Sequence, residues 1–154
     1  MTARALSIVA TLAAVATVAG CAAPLTVEAA PHAHHPDCAV VMLAAPPTLG
    51  GLELRATTAQ AAEAWGDSFP IVVRCGVEVP PPTTDPCVTV EVAGGTLDWV
   101  VRDAGDAWVA TTYGRDPAVE AVVPKERADE AVSDVLAEIT PFAALAPRNG
   151  RQCY

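Results

Sequence analysis

"CVTVEVAGGTLDWVVRDAGDAWVATTYGRDPAVEAVV", residues 87–123, carries the periodicity that decides the fold. Val88, Val90 and Val92 alternate with Thr89 and Glu91, the period of a strand with one wet face. Gly94-Gly95 signals a tight turn. Leu97, Trp99 and Val101 then fall on one side of a second strand, and "DAGD" turns the chain again. Val109, Thr111 and Tyr113 share one side of a third strand, "GRDP" makes the next turn, and "AVEAVV" closes the run. Four strands joined by short turns make an antiparallel meander.

Downstream the period changes. In "PKERADEAVSDVLAEITPF", Ala128, Val132, Val135, Leu136 and Ile139 recur at spacings of three and four, while Asp129, Glu130, Asp134 and Glu138 fall elsewhere on the wheel. This predicts an amphipathic helix with Pro124 in its first turn and Pro141 at its end. Its apolar stripe belongs on a sheet face, and its acidic residues read as a solvated side. The residues after Phe142 read as irregular and pinned by Cys153. Upstream, "CAVVMLAAPP" reads as a brief helix and "TTAQAAEAWG" as a second, with a Thr start, an Ala-rich interior and a Gly stop. "FPIVVRC" reads as a buried strand. The expected fold is α+β: a meander sheet of about four to five strands with an amphipathic helix on one face, stapled by disulfides.

The start of the chain sets its address. "MTARALSIVATLAAVATVAGC" has one basic residue, Arg4, and an apolar run from Ala5 to Ala19. That run is too short for a spanning helix, which needs about 20 residues. A basic start, a short apolar core and a small-residue end describe a secretory signal over residues 1–20. Val18-Ala19-Gly20-Cys21 resembles the lipobox of bacterial lipoproteins, which implies cleavage before Cys21 and acylation of its sulfur. Two acyl chains make such an anchor stable, at roughly 0.8 kcal/mol per buried methylene. Residues 21–37, "CAAPLTVEAAPHAHHPD", are Ala/Pro-rich and read as a flexible tether. A single domain then fills 38–154. The expected place is the outer face of the cytoplasmic membrane.

Four cysteines remain: Cys38, Cys75, Cys87 and Cys153. An even number in an exported chain implies two disulfides. Of the three pairings, Cys75–Cys87 would close the Pro-rich loop "GVEVPPPTTDP" and Cys38–Cys153 would tie the domain's ends, and this pairing is the one expected. Four thiolates on zinc fit poorly, because no Cys-x-x-Cys spacing is present.

The tract "HAHH" holds all three histidines, His32, His34 and His35. Short His-rich tracts can capture metal ions, but a tight site needs ligands fixed in space. In a flexible segment they are not, so the expectation is a solvated linker and no metal site. Acidic residues outnumber basic ones 18 to 9, which argues against nucleic acid or anionic lipid as direct partners. Catalysis finds little to use. With the histidines in the tether, a nucleophile such as Ser68 has only Lys125 as a conceivable base. Asp67 and Asp98, each near a Trp, could serve glycoside cleavage but read more simply as turn and strand residues. No phosphate-binding glycine loop is present, since 50–51 and 94–95 read as turns. No catalytic residue and no cofactor are expected.

"AWGDSFPIVVRCGV", "LDWV" and "TTYGRDPAVEAVVP" together resemble an actinobacterial family of secreted lipoproteins catalogued as a domain of unknown function. The resemblance runs from about Cys38 to Pro141. It implies export, lipid anchoring and a small α+β domain, and no activity. The chain departs from the pattern at Ser68-Phe69, which stand between Trp-Gly-Asp and Pro70. Trp65, Asp67, Arg74, Trp99, Tyr113 and Arg115 form the candidate binding patch. The expected function is a non-catalytic binding or interaction domain in the cell envelope, held at the membrane by lipid and engaging a protein or wall component. The alternative is a small wall hydrolase or carbohydrate-binding module.

Overall fold

The computed structural model describes residues 23–93, 95–128 and 132–153. The expected signal segment 1–20, Cys21, Asp129 and Glu130 lie outside the described residues. In chain order come α1 (Pro36–Leu43), β1 (Thr48–Leu49), β2 (Leu52–Arg55), β3 (Ala62–Trp65), β4 (Ile71–Val77), β5 (Cys87–Val92), β6 (Gly95–Asp103), β7 (Ala107–Tyr113), β8 (Ala118–Pro124) and α2 (Ser133–Ala143). Among the described residues the strands form one eight-stranded antiparallel sheet in the order β1-β2-β3-β4-β8-β7-β6-β5. The meander β5–β8 and the strand β4 stand where the alternation places them. The sheet has eight strands rather than four to five because the segment before β4 adds three more.

One of those three is β3, within the stretch that composition assigns to a helix. Alanine is the best helix former, but intrinsic propensity is small beside tertiary context, and pairing with β2 and β4 outweighs it. Ala62 and Ala64 are buried on the sheet face opposite Trp65, and the Thr57 hydroxyl donates to the Ala62 carbonyl (2.8 Å). The brief helix α1 is present as expected.

The helical face of the sheet holds the main core. Trp65, Trp99, Leu97, Ile71, Val73, Val119 and Val123 are fully buried there with Leu136 and Ile139 of α2. Each such side chain contributes about 1.5–3 kcal/mol on burial. The Trp99 indole donates to the Thr140 hydroxyl (3.0 Å), which donates in turn to the Leu136 carbonyl (2.6 Å). Helix α2 is displaced from its expected span. Pro124 ends β8, where it pairs with Ala107, rather than starting the helix. Pro141 lies inside the last turn rather than ending it. Phe142 and Ala143 extend the buried stripe past that proline, which offsets the one helical hydrogen bond it removes. Of the acidic residues assigned to solvent, Glu138 accepts from the Gly50 amide (2.8 Å) and so holds the β1–β2 turn.

The second face of the sheet is covered by irregular segments. Residues 23–33 cross β2, β3 and β4 as a strap. The Arg55 guanidinium donates to the Ala23 carbonyl (3.0 Å), Leu25 and Ala56–Thr58 exchange backbone hydrogen bonds (2.9 Å each), and Arg74 donates to the Glu28 carbonyl (3.1 Å). Ala30 and Ala33 pack on Val77 and Ala118 in a small second core. The expectation of a flexible tether to residue 37 is therefore corrected: from Ala23 onward the segment is docked. Sequence periodicity misses it because a strap satisfies its backbone through scattered partners. Gly76 makes the docking possible. It lies at a bulge in β4 with φ +89°, and a Cβ there would collide with the His32 carbonyl.

The disulfides are Cys38–Cys75 and Cys87–Cys153, with Cα–Cα distances of 5.4 and 6.5 Å. The expected pairing is corrected for a topological reason. Residues 78–86 do not close a local loop; they cross the sheet, so β8, β7 and β6 stand between Cys75 and Cys87. Cys38 on α1 meets Cys75 on the core face, while Cys153 brings the C-terminal segment back to the edge strand β5 on the other face.

Candidate functional site

Strand register builds the site. Cys87, Val100, Thr111, Glu120, Arg74 and Ala62 are successive cross-strand partners, and so form one row across the face opposite Trp99. The Pro-rich crossing 78–86 passes over this row. Between crossing and sheet lies a cleft of about 320 Å³, floored by Val100, Arg102, Thr111 and Glu120 and walled by Glu78, Pro80 and Asp85 among others. That is at the small end of ligand-sized cavities, roughly 300–1,000 Å³. Arg74 holds Glu120 through Nε (3.2 Å) and Nη2, which fixes the floor. Arg102 and Asp85 are exposed and have no ion-pair partner among the described residues. The cleft can therefore pair with groups of either sign, over a floor whose backbone is locked in the sheet.

The C-terminal segment closes one end. Arg115 is buried, and its guanidinium donates to the Ala144 (2.9 Å) and Ala146 (2.7 Å) carbonyls. Burial and the nearby Arg148 lower its pKa. Gly114, at φ +81°, lets the Arg151 carbonyl approach where a Cβ would collide. Arg151 donates to the Pro80 carbonyl (2.8 Å), and the Cys153 amide donates to Asp98 (2.8 Å).

The six residues of the candidate patch do not form one surface. Trp65 and Trp99 are core anchors with no exposure, because each sits on the helical face of its strand. The Trp65 indole donates to the Pro46 carbonyl (2.9 Å). Asp67 is on the surface beside Arg55 (3.4 Å), and Arg115 is inward and holds carbonyls. Arg74 and Tyr113 do share the second face. Arg74 supports the cleft floor, and Tyr113 lines the adjoining hollow with Thr83, Asp85 and Cys153. Alternation missed Arg102, Thr111, Glu120 and Asp85, which are the cleft. Its signal was present: all three strand residues share the side of Tyr113 or Arg74 by register, but register across non-adjacent strands is not written in one chain's order.

The catalytic alternatives separate. Lys125 donates to Asp103 (2.8 Å) and lies 4.8 Å over the Trp108 ring, which engages the amine proposed as a base for Ser68. Asp103 is pulled below its usual carboxyl range by that lysine and by the Gly105 amide. Asp67 and Asp98 stand at β3 and β6, with β4, β8 and β7 between them. Cys87, Asp98 and Cys153 approach within 4.8 Å of one another, but the two sulfurs are bonded together and offer no thiolate.

The family model for a protein of unknown function, DUF3515, matches residues 2–147. The chain belongs to that family. The match covers the strap, the whole sheet and α2, so these features of the DUF3515 chain lie within the family's extent. No curated protein and no solved structure matches the DUF3515 chain. No helix among its described residues is long and apolar enough to cross a membrane.

Proposed function

We propose that this protein is a lipid-anchored, non-catalytic binding domain of the cell envelope, displayed on the outer face of the cytoplasmic membrane, and that its cleft on the second sheet face takes a short polar segment of an envelope protein or wall component. The observation that carries the reading is the cleft itself: charges of both signs over a floor fixed by the Arg74–Glu120 pair and the sheet ladder. Such a surface orients a ligand by paired charges and leaves its bonds unstrained.

The docked strap supports the anchored part. Ala23, two residues along the chain from the cysteine this reading acylates, is held to the sheet by Arg55. The domain would rest on the bilayer rather than hang from it. The carbohydrate-module alternative has one observation in its favour. Trp108 is half-buried at an open hollow lined by Asp85, Arg102 and Asp103, where a sugar ring could stack.

The test uses intact envelopes. A photo-crosslinking residue at position 102 should give a discrete adduct, and the same residue at position 43, on the exposed side of α1, should not. Arg102→Glu should remove a ligand captured at Thr83. Equal adducts from both positions would reject the cleft as the binding surface. Metabolic labelling with a fatty-acid analogue, lost in Cys21→Ser, tests the anchor separately.

A further inference from the structure

The histidine tract is not a linker, and that changes its chemistry. The His32 amide donates to the Gly76 carbonyl (2.8 Å), the His35 amide to His32 (2.9 Å) and the Cys38 amide to His35 (3.0 Å). The His35 ring accepts from the Asp37 amide (3.3 Å) and caps α1. Within the first turn after that cap, Cys38 is bonded to Cys75. The tract is thus fixed at both ends, at the corner where the chain passes from the strap face to the core face. The ordering of the backbone, which a metal ion would otherwise have to impose at about 1–2 kcal/mol per residue, is already done by the fold.

The same corner collects carboxylates from distant parts of the chain. Glu78 follows β4, and Asp116 precedes β8. With His32, His34 and His35 they line one hollow of about 360 Å³. His32 Nε2 stands 3.2 Å from Glu78 Oε1. Two ligands bound to a tetrahedral ion at 2.0–2.1 Å are about 3.3 Å apart, so this pair already has the span of one edge of such a site. The His32 and His34 ring centroids are 6.5 Å apart at a tilt of 58°. Two imidazoles on one tetrahedral ion place their centroids about 5–6 Å apart, so closure requires the exposed His34 to swing toward His32 and Glu78.

We propose that His32, His34 and Glu78 form a surface site for a divalent first-row transition ion of the zinc type, with Asp116 or water as the fourth ligand. Imidazole nitrogen with a carboxylate suits zinc or copper and not magnesium or calcium. Two neutral imidazoles and one or two carboxylates balance the charge of a dication in an acidic chain. His35 is excluded from the set in this assignment, because its Nδ1 serves the helix cap.

Calorimetric titration of the full chain in detergent with zinc chloride tests the site, its disulfides intact. One equivalent should bind with a dissociation constant below roughly micromolar. Glu78→Gln, a substitution at an exposed side chain, should weaken binding by at least roughly tenfold, as should the double change His32→Ala/His34→Ala. A free peptide of residues 29–37 should bind more weakly than the chain by a similar factor, since it lacks both Glu78 and the fixed backbone. Zinc should raise the melting temperature of the parent and not of Glu78→Gln. Equal affinity of chain and peptide, parent-like binding by Glu78→Gln, or no saturable zinc binding would each overturn the proposal. Magnesium chloride in place of zinc should give no heat, and binding of equal strength would overturn the assigned ion class.

Discussion

The two faces of the sheet are built in different ways. One is covered by α2 and α1, whose apolar side chains recur at fixed spacings and pack against Trp65, Trp99 and Val119. The other is covered by three irregular segments: the strap 23–33, the crossing 78–86 and the C-terminal segment 144–153. These hold on by single hydrogen bonds to backbone carbonyls, two glycines that permit close approach, and one disulfide. The first face stores stability in buried area. The second stores it in geometry, and so leaves concave, charged space between its covers. Both candidate ligand sites, the cleft and the histidine corner, lie on this second kind of surface.

Substitutions on one strand give the largest test of this difference. Trp99→Ala removes a fully buried indole and leaves the Thr140 hydroxyl without its donor, and should cost about 3–5 kcal/mol by urea unfolding. Val100→Ala, one residue along on the other face, should cost about 1 kcal/mol. Similar losses at both positions would erase the contrast between the faces.

Removing the Cys87–Cys153 bond as a paired change to serine should cost about 2–4 kcal/mol, and it should also free the C-terminal segment to proteolysis. Loss of stability without faster cleavage after Arg151 or Arg148 would show that carbonyl contacts to Arg115 suffice to hold that cover. Next in size is Gly76→Ala. It should cost about 1–2 kcal/mol, from the positive φ and the collision with His32, and it should expose residues 23–33 to protease while the core face stays intact by near-ultraviolet circular dichroism.

The smallest effect is a pH dependence on the core side. Glu63 is half-buried, and desolvation raises its carboxyl pKa. The folded state therefore holds its proton more tightly than the unfolded chain. This contribution favours folding in acid and is lost as pH rises through the raised value. Glu63→Gln should accordingly be slightly more stable than the parent at neutral pH, with the difference vanishing below the ordinary carboxyl range. A gain that persisted in acid would place its cause in packing instead of charge.

The sequence was legible where burial follows a period. Leu97, Trp99 and Val101 were readable as one inward face, and Val135, Leu136 and Ile139 as a stripe that needs a sheet. The same logic failed at Ala62–Trp65, where alanine's helical preference lost to pairing with the strands on either side. It failed also for the candidate patch. Trp65 and Trp99 drew notice as large aromatic side chains, yet their size is what assigns them to the core. Glu120 and Arg102 drew none, because charged strand residues on a wet face look ordinary until another segment passes over them.

By itself the amino-acid sequence determined the α+β class, the four-strand meander, the oxidised state implied by four cysteines, and membership in a family of unknown function through residues 2–147. These are properties of local period and residue type, and each is set within a few neighbours along the chain. Only the tertiary structure decided which cysteines meet, that the segment after Ala23 is a docked strap, and that the histidines face Glu78 and Asp116. The physical reason is that such contacts join residues far apart in the chain, 32 positions for Arg55 and Ala23 and 37 and 66 for the two disulfides, through single hydrogen bonds, close glycine approaches and covalent bonds. None of these leaves a periodic trace, because each needs one partner at one place and no repeated face.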